Sequence, residues 1–237
     1  MAEAPFDYSK LAKLFGSPWH RHYVRSKLST DPLYDGVFAE LEGEELPLLD
    51  LGCGLGLLAF YLRERGLEFP ILGIDYDGRK IEDAKRLAAE HYADRGHLEF
   101  REGDAREGIP DFEGNVTILD ILQFFTPEEQ ERLLTNAAAC VAPGRKLVIR
   151  STLRERGWRF KMTQAGDLLA KITRWMRAAP THYPTEASIR TVLEQAGLRG
   201  ECRPLWGKTP FSNYLLSFQR GEAPEGGAAE ESEVDIS

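Results

Sequence analysis

The residues of this 237-residue chain that are best placed to do chemistry are a glycine-rich turn and a series of aspartates, each behind an apolar segment. The run from Leu48 to Leu51 predicts a buried strand, and Gly52, Gly54 and Gly56 follow it at alternate positions. Glycine reaches positive φ at little cost and lets the backbone approach a ligand closely. The apolar run that begins at Leu57 predicts a helix packed on the sheet. A strand, a glycine turn and a helix start together predict a socket of nucleotide size.

Aspartates recur at the ends of the apolar segments that follow. Asp75 ends the second segment, about twenty residues past the glycines, where a carboxylate can accept two hydrogen bonds from a ribose diol. Asp104 and Asp120 end the third and fourth segments. The order of strands and helices from residue 46 to residue 150 predicts a mostly parallel, doubly wound α/β sheet.

Asp50 and the three glycines read Asp-x-Gly-x-Gly-x-Gly, and at this motif the chain resembles the class I S-adenosylmethionine-dependent methyltransferases. The resemblance implies a Rossmann-like seven-stranded sheet and S-adenosyl-L-methionine as the cofactor. It implies that the backbone of Gly52 and Gly54 lies against the methionine part, with Asp50 as a nearby or water-mediated partner of the amino group. Asp75 would hold the ribose hydroxyls. The other residues implied at the cofactor are Cys53 and Gly56 in the turn, Tyr76 beside the adenosine, Asp104 and Ala105 at the adenine, and Asp120 and Ile121 near the sulfonium.

A dinucleotide-binding dehydrogenase is the natural alternative, because its glycine turn also follows the first strand and is also answered by an acidic residue. Its glycines are spaced Gly-x-Gly-x-x-Gly. This chain lacks the third glycine in the register that admits a pyrophosphate at the helix start, and it adds Asp50 ahead of the turn. The spacing therefore favours the methyltransferase interpretation.

Size, charge and cysteine content bound the function further. The chain suits one α/β domain that needs neither disulfides nor metals, and its five histidines lack metal-ligand spacing, so no metal is expected. The formal net charge of −8 argues against nucleic acid as a partner, because phosphate binding needs a basic surface. Three widely spaced cysteines, no secretory segment and no apolar run of roughly 18 residues predict a cytoplasmic protein. The sequence leaves the oligomeric state open.

The sequence divides into a leading segment, a core domain and a tail. Residues 1–45 contain two short amphipathic helices and predict an N-terminal helical cap, which in the resembled family commonly forms a lid over cofactor and substrate. Residues 46–220 predict the methyltransferase domain, with an inserted cap helix within 152–183. Residues 221–237 are acidic and poor in apolar side chains, which predicts a disordered tail.

The late part of the core domain supplies two more helices and two more strands. Helices are predicted from Glu128 to Val141 and from Thr185 to Ala196. The resemblance implies that strands at 199–203 and 212–219 pair as an antiparallel hairpin at the edge of the sheet.

The sequence offers no decisive general base. Methyl transfer needs little covalent help, because the sulfonium is already a strong electrophile and in-line positioning lowers the barrier. Histidine is a common general base near neutral pH. His20, His22 and His182 lie in segments expected to cover the strand ends, and Tyr23 in the leading segment is a candidate hydrogen-bonding wall. A solvated surface position is the alternative for each histidine, and ordinary packing is the alternative for the tyrosine.

The residues after the fourth strand bear on the acceptor. They read Asp120-Ile-Leu-Gln-Phe-Phe125, not the Asn/Asp-Pro-Pro-Tyr/Phe tetrad of enzymes that methylate planar amide or exocyclic amino nitrogens. This favours an oxygen or carbon acceptor, above all O-methylation of a small hydroxylated, aromatic or amphiphilic molecule. The segments 21–28 and 207–213 are similar to methyltransferases of bacterial aryl polyene pathways, which act on a hydroxylated aryl or polyene precursor. Residues 151–154 depart from the acidic cluster expected there in that group.

The insertion is basic and aromatic in an acidic protein. Its cations, answered by only two acidic residues, are Arg154, Arg156, Arg159, Lys161, Lys171, Arg174 and Arg177. Together with Arg21, Arg25 and Lys27 of the leading segment, they predict a cap for a lipid-like or anionic acceptor, or peripheral contact with an anionic membrane. An ordinary cap helix packed on the sheet is the alternative. Two other functions remain open, namely a non-catalytic cofactor-binding partner or sensor subunit, and methylation of RNA or protein.

Overall fold

Seven strands form one sheet in the computed structural model, which describes residues 7–155, 157–160, 162, 182–207 and 209–222. The strands are β1 (Leu48–Leu51), β2 (Ile71–Asp75), β3 (Leu98–Glu102), β4 (Asn115–Leu119), β5 (Lys146–Thr152), β6 (Leu198–Pro204) and β7 (Asn213–Arg220). Their order across the sheet is β3-β2-β1-β4-β5-β7-β6. Strands β1 to β5 are parallel, and β7 runs antiparallel to both β5 and β6. The Rossmann-like seven-stranded sheet with its antiparallel edge hairpin is therefore confirmed.

Three helices precede the first strand, one more than the sequence predicted. The described helices are α1 (Tyr8–Leu14), α2 (Pro18–Thr30), α3 (Leu33–Leu41), α4 (Leu57–Glu64), α5 (Gly78–His91), α6 (Pro127–Ala139) and α7 (Glu186–Gln195), with a 3₁₀ turn at Leu122–Phe124. The unpredicted helix is α2, whose buried residues are Val24 and Leu28. Two apolar positions among cations and aromatics are too few for hydrophobic periodicity to indicate a helix.

Both faces of the sheet are covered by helices, and successive strand residues alternate between two apolar cores. Leu48 and Val148 belong to a core shared with α1 to α5, whereas Leu49 and Ile149 belong to a core shared with α6 and α7. A parallel strand covered on both faces is buried along its length, which is what β1, β2, β4 and β5 show, whereas β3 at the edge is partly exposed. The polar ends of the strands are thereby left as the part of the sheet that can meet a ligand.

The helix ends follow the predicted signals, with bounds shifted by one or two residues. The side chain of Thr126 accepts from the amide of Glu129, whose carboxylate in turn accepts from the amide of Thr126, so α6 has a capping box. Thr185 and Ser188 form the equivalent box on α7. Gly197 follows α7 with a φ of 84°, the left-handed conformation that ends a helix most easily at glycine.

A buried arginine ties together the segments that lead into β2 and β3. Arg63, at the end of α4, is fully buried. Its guanidinium donates to the carbonyls of Leu67 at 2.5 Å, Phe69 at 2.5 Å and Arg95 at 2.7 Å. These carbonyls lie just ahead of the two strands, at the amino edge of the sheet, so Arg63 stabilises the edge opposite to the one that carries the glycine turn.

Two predictions fall largely outside the part of the chain that the structure describes. The inserted cap helix concerns residues 152–183, of which 156, 161 and 163–181 are not described. The acidic tail concerns residues 221–237, of which 223–237 are not described. The cap helix, the membrane contact of the insertion and the disordered tail therefore stay predictions. Among the described helices, none combines the length and apolar content needed to cross a bilayer.

Candidate cofactor and methyl-transfer site

The glycine turn is locked to the end of β2 by its own backbone. The amides of Gly52 and Cys53 both donate to the carbonyl of Ile74, at 2.7 Å and 3.0 Å. The amide of Gly54 donates to Asp75 Oδ2 at 2.9 Å. These three N–H groups are consequently engaged within the protein. They do not form the open cradle of donors that a phosphate needs.

Two glycines of the turn are required for different reasons. Gly52 has a φ of 80°, and a Cβ placed there would lie 2.6 Å from Cγ2 of Ile121. Gly54 has a φ of 57°, and a Cβ placed there would meet no atom within 4 Å. Gly52 thus makes room for a protein side chain, whereas Gly54 borders open space in which a ligand can approach the backbone. Gly56 has a φ of 73° and precedes α4, where a Cβ would contact the ring of Phe100 at 2.8 Å.

Asp75 is held in a fixed orientation at the end of β2. Its Oδ1 accepts from the amide of Asp77 at 2.9 Å, its Oδ2 accepts from Gly54, and only 6% of the residue is exposed. A carboxylate oxygen has further lone pairs, so Asp75 can accept from a ligand while keeping both backbone bonds. Tyr76, directly after it, is 51% exposed and presents a large aromatic side chain at the same edge.

Asp50 and Cys53 lie beneath the turn rather than on its surface. Asp50 is buried, and its Oδ1 accepts from the hydroxyl of Thr117 at 2.7 Å. Burial raises the pKa of Asp50 to about 7, helped by the charge of Asp75 and opposed by the hydroxyl bond. The sulfur of Cys53 packs 2.9 Å from where Gly73 would carry a Cβ, and burial raises the pKa of this thiol far above its usual value. Cys53 is therefore a packing residue with an inert thiol.

Asp104, the carboxylate predicted to contact the adenine, forms an ion pair with the guanidinium of Arg106. Asp104 accepts from the backbone amide of Arg106 at 2.9 Å, and Arg106 Nη1 lies 3.1 Å from Asp104 Oδ2. The same guanidinium lies 4.6 Å from the centroid of the Phe125 ring. Ala105 is partly buried against the apolar core of α6 and α7. Arg106 thus connects the loop after β3 with the turn after β4.

The end of β4 carries a cluster of four charges, hereafter the charge cluster: Lys27, Asp31, Asp120 and Arg150. Asp120 has a φ of 62°, the one positive value among the described non-glycine residues. Lys27 lies 3.4 Å from Asp120 and 2.7 Å from Asp31, and Arg150 lies 3.0 Å from Asp31 and pairs with Asp120 as well. The cluster joins α2 to the ends of β4 and β5.

The four predicted catalytic side chains are not brought together. His20 lies 3.9 Å from Asp83 on α5, and His22 is exposed on α2. His182 is exposed, but its amide donates to the carbonyl of Gln123 at 3.2 Å, just past Asp120. Tyr23 is partly buried and interacts electrostatically with Lys27 of the charge cluster. Tyr23 and His182 therefore lie on elements that border the end of β4, whereas His20 lies beside α5.

A family model for a methyltransferase domain matches residues 48–144, the segment that carries the turn, Asp75, Asp104 and Asp120. Residues 48–144 thus match a methyltransferase domain. Over 115 residues the chain is 28% identical to a tRNA N(3)-cytidine methyltransferase of Mus musculus, and the match covers 47% of this chain and 40% of that protein. The chain thus spans less than half the length of that curated relative.

Solved structures share the fold of the methyltransferase domain. The magnesium protoporphyrin IX methyltransferase of Synechocystis PCC 6803, with bound SAH, superposes with a TM-score of 0.65 at 21% identity, covering 90% of this chain and 93% of that one. The mitomycin 7-O-methyltransferase MmcR superposes with a TM-score of 0.65 at 20% identity, covering 91% of this chain and 61% of that one. At such identities the likeness is one of fold.

The carboxylates at this edge of the sheet fit a cationic cofactor. S-adenosylmethionine has a net positive charge, because its sulfonium and ammonium outweigh its single carboxylate, and its ribose diol and adenine amino group are hydrogen-bond donors. Asp75 can accept from these groups, because it holds only backbone amides. Asp104 and Asp120 also lie at this edge, where each already pairs with at least one cation of the protein. A dinucleotide would instead bring a pyrophosphate to engaged amides and carboxylates, which is unfavourable.

Three residues at this edge were missed by sequence reasoning, namely Asp31, Arg106 and Arg150. Asp31 has the four-residue spacing of a helical ion pair with Lys27, which would have been informative had α2 been predicted. Arg150 is a charged residue at the end of an apolar strand segment, a placement that indicates a buried partner. Lys27 was predicted among the cations that face an anionic acceptor, but two carboxylates of the protein already balance its charge.

Proposed function

We propose that this protein transfers a methyl group from S-adenosylmethionine to an oxygen atom of a small hydroxylated acceptor, most specifically an aryl or polyene compound. The observation that carries the proposal is the carboxyl edge of the sheet, where Asp75, Asp104 and Asp120 lie at or just past the ends of β2, β3 and β4 and the amides of the glycine turn are already engaged. The matched methyltransferase domain supports the reaction class. The mitomycin 7-O-methyltransferase is, by its name, a precedent for O-methylation of a small molecule on this fold.

Each part of the cofactor has a proposed partner. Asp75 would accept from the ribose hydroxyls, and Asp104 would accept from the adenine amino group. Gly54 leaves space for the methionine part. Asp120 and Ile121 would lie near the sulfonium. The bound cofactor supplies the electrophilic methyl group, so the protein is needed chiefly for alignment of donor and acceptor.

The choice of oxygen rests on what the end of β4 contains. The tetrad used for planar nitrogens is absent, and the partly buried phenol of Tyr23 borders this end as a candidate hydrogen-bond partner for an acceptor hydroxyl. A hydroxyl of low pKa, such as a phenol, needs the least help in losing its proton. Aryl acceptors are for this reason the first class to examine, in agreement with the aryl polyene resemblance.

The test measures formation of S-adenosylhomocysteine from S-adenosylmethionine with a panel of phenols, hydroxylated polyenes and hydroxylated lipids. We expect turnover with at least one phenol and a methyl ether as product, identified by mass spectrometry. Calorimetry with S-adenosylhomocysteine, and with NAD as control, accompanies the assay. Binding of S-adenosylhomocysteine without turnover on any acceptor would instead favour the non-catalytic partner or sensor role.

Methylation of RNA is the second candidate, because the curated relative acts on tRNA by its name. The net charge of −8 opposes it. Transfer of label from S-adenosylmethionine to total tRNA, with no transfer to any phenol, would favour RNA over the small-molecule acceptor.

A further inference from the structure

Helix α2 runs across the edge of the sheet at which the cofactor is proposed to bind. Toward its start, His20 Nδ1 lies 3.9 Å from Asp83 on α5, the helix that follows β2. Toward its end, Lys27 Nζ lies 3.4 Å from Asp120, directly after β4. Seven helical residues cover about 10 Å, and two strand spacings cover about as much. Since β1 lies between β2 and β4, α2 extends from α5 to the end of β4 along the edge of the sheet that carries the glycine turn.

The charge cluster fastens the end of α2 to two strands at once. Arg150 and Asp31 are the most deeply buried members, with side chains 5% and 9% exposed, and Lys27 and Asp120 are 22% and 32% exposed. Each cation in the cluster contacts both carboxylates. Both positive charges are therefore already balanced, and the cluster is not a site for an anionic group of the acceptor. Its geometry instead couples a helix to the strand ends.

Buried ion clusters of this kind contribute little to net stability, because the cost of removing charges from water offsets their attraction. Their presence is better explained by a role in specificity or movement. Here the pairing is divided between elements, since Lys27 and Asp31 lie on α2 or directly after it, whereas Asp120 and Arg150 lie at the ends of β4 and β5. Separating α2 from the sheet must therefore break the Lys27–Asp120 and Asp31–Arg150 pairs. The other two pairs, one within each part, would persist and keep the separated charges balanced.

We propose that Lys27 and Arg150 are positioning residues that clamp α2 across the glycine turn and fix Asp120 beside the sulfonium, so that cofactor exchange requires this clamp to open. The inference rests on the proposed cofactor site. Ligand entry and release are slowed by such a covering element, which also excludes water from the site during transfer.

The decisive variant reverses the two charges carried by the α2 side of the cluster. The double substitution Lys27→Asp and Asp31→Lys keeps the net charge and the pair between these two positions. It places a carboxylate against Asp120 and an ammonium against Arg150. The matched control reverses an exposed pair on α5, Glu82→Lys with Lys85→Glu, whose charges lie 2.8 Å apart. Lys27→Arg serves as the conservative variant.

The measurement is the dissociation rate of S-adenosylhomocysteine, followed by stopped-flow displacement. We expect at least a tenfold faster rate in the reversed cluster, a rate within twofold of wild type in the α5 control, and a rate within threefold for Lys27→Arg. A folded cluster variant with the wild-type rate would overturn the proposal. A wild-type protein that binds no S-adenosylhomocysteine would overturn the proposed cofactor site instead.

Amide hydrogen exchange tests the attachment of α2 to the sheet without any ligand and without the double variant. In the unliganded protein, Lys27→Met should increase exchange at the amides of α2 at least tenfold while the amides of β1 and β4 keep their protection. Equal exchange of α2 in Lys27→Met and wild type would contradict the clamp, whatever the outcome of cofactor binding.

Discussion

Two buried arginines hold opposite edges of the same sheet and do so with different partners. Arg63, at the amino edge, donates to backbone carbonyls ahead of β2 and β3. Arg150, at the carboxyl edge, pairs with the carboxylates of Asp31 and Asp120. Burial lowers the pKa of Arg63, whereas the two carboxylates outweigh burial and raise the pKa of Arg150. Both guanidinium groups stay charged, but of the two only Arg150 forms salt bridges with carboxylates.

The difference separates a residue that stabilises the fold from one that connects parts able to move. Carbonyls belong to the main chain and keep their places while the domain is folded, so the contacts of Arg63 break only on unfolding. The partners of Arg150 include a side chain at the end of a helix that lies outside the sheet. The contacts at the amino edge thus stabilise the folded sheet, whereas the contacts at the carboxyl edge join the sheet to a helix beside the proposed ligand site.

The largest effect is expected at the amino edge. Arg63→Met should lower the free energy of unfolding by about 3 kcal/mol or more, because several buried carbonyls lose their donor. Urea unfolding near neutral pH measures this, with Arg79→Met, whose side chain is exposed, as control. The affinity of the folded protein for S-adenosylhomocysteine should not change. If Arg63→Met lowers the free energy of unfolding by less than about 1 kcal/mol, Arg63 is not the main stabilising residue of the amino edge.

Asp75→Ala should have the largest effect on the ligand. The variant removes a carboxylate that we expect to accept from the ribose and that also holds the amide of Gly54, so binding should weaken by about 3 kcal/mol, or roughly a hundredfold. Calorimetry with S-adenosylhomocysteine measures the change. Asp94→Ala, in an exposed loop, is the control. Unaltered affinity in Asp75→Ala would show that the ribose lies elsewhere.

The pH dependence of stability should reveal the proton on Asp50. Native Asp50 keeps its proton up to about pH 7, whereas in the unfolded chain its pKa is near 3.8. Between these values the native state binds more protons, so stability falls as pH rises, by about 1.4 kcal/mol per pH unit from this group. Urea unfolding of wild type and Asp50→Asn across the acidic range below pH 7 should differ in slope by this amount. Parallel profiles would place the pKa of Asp50 near its ordinary value.

The smallest effect is expected from Arg106→Ala. Its guanidinium is 37% exposed, and exposed ion pairs contribute about 0.2–1 kcal/mol. We expect two- to fivefold weaker binding of S-adenosylhomocysteine, because Asp104 loses the partner that orients it, and no measurable change in unfolding. A tenfold loss would instead indicate that Arg106 itself contacts the adenine.

The sequence was sufficient for the part of the site built from neighbouring residues. The turn from Asp50 to Gly56 obeys local backbone rules, and Asp75 follows at the distance that a strand, a helix and a second strand require. Both capping boxes, and the succession of strands and helices along the chain, follow from equally local signals. Such features are predictable because short stretches of chain determine them.

The charge cluster was not predictable for the opposite reason. Lys27 and Asp120 are 93 residues apart in the chain, and Asp31 and Arg150 are 119 apart. The residues around Lys27 and Asp31 do not indicate that Asp120 and Arg150 will lie beside them, and the residues around Asp120 and Arg150 do not indicate the reverse. Asp104 was predicted as a site residue, but its ion pair with Arg106 was not. That pair depends on how the loop after β3 packs against the turn after β4.

The shared carbonyl of Ile74 has a consequence for how the cofactor is received. Two amides of the glycine turn donate to this one oxygen, and the next residue supplies the carboxylate that holds a third amide. Three hydrogen bonds therefore fix the turn to the end of β2 before any ligand arrives. Cofactor binding should therefore order little of the main chain of the turn. The conformational entropy lost on binding should come from α2, not from the turn.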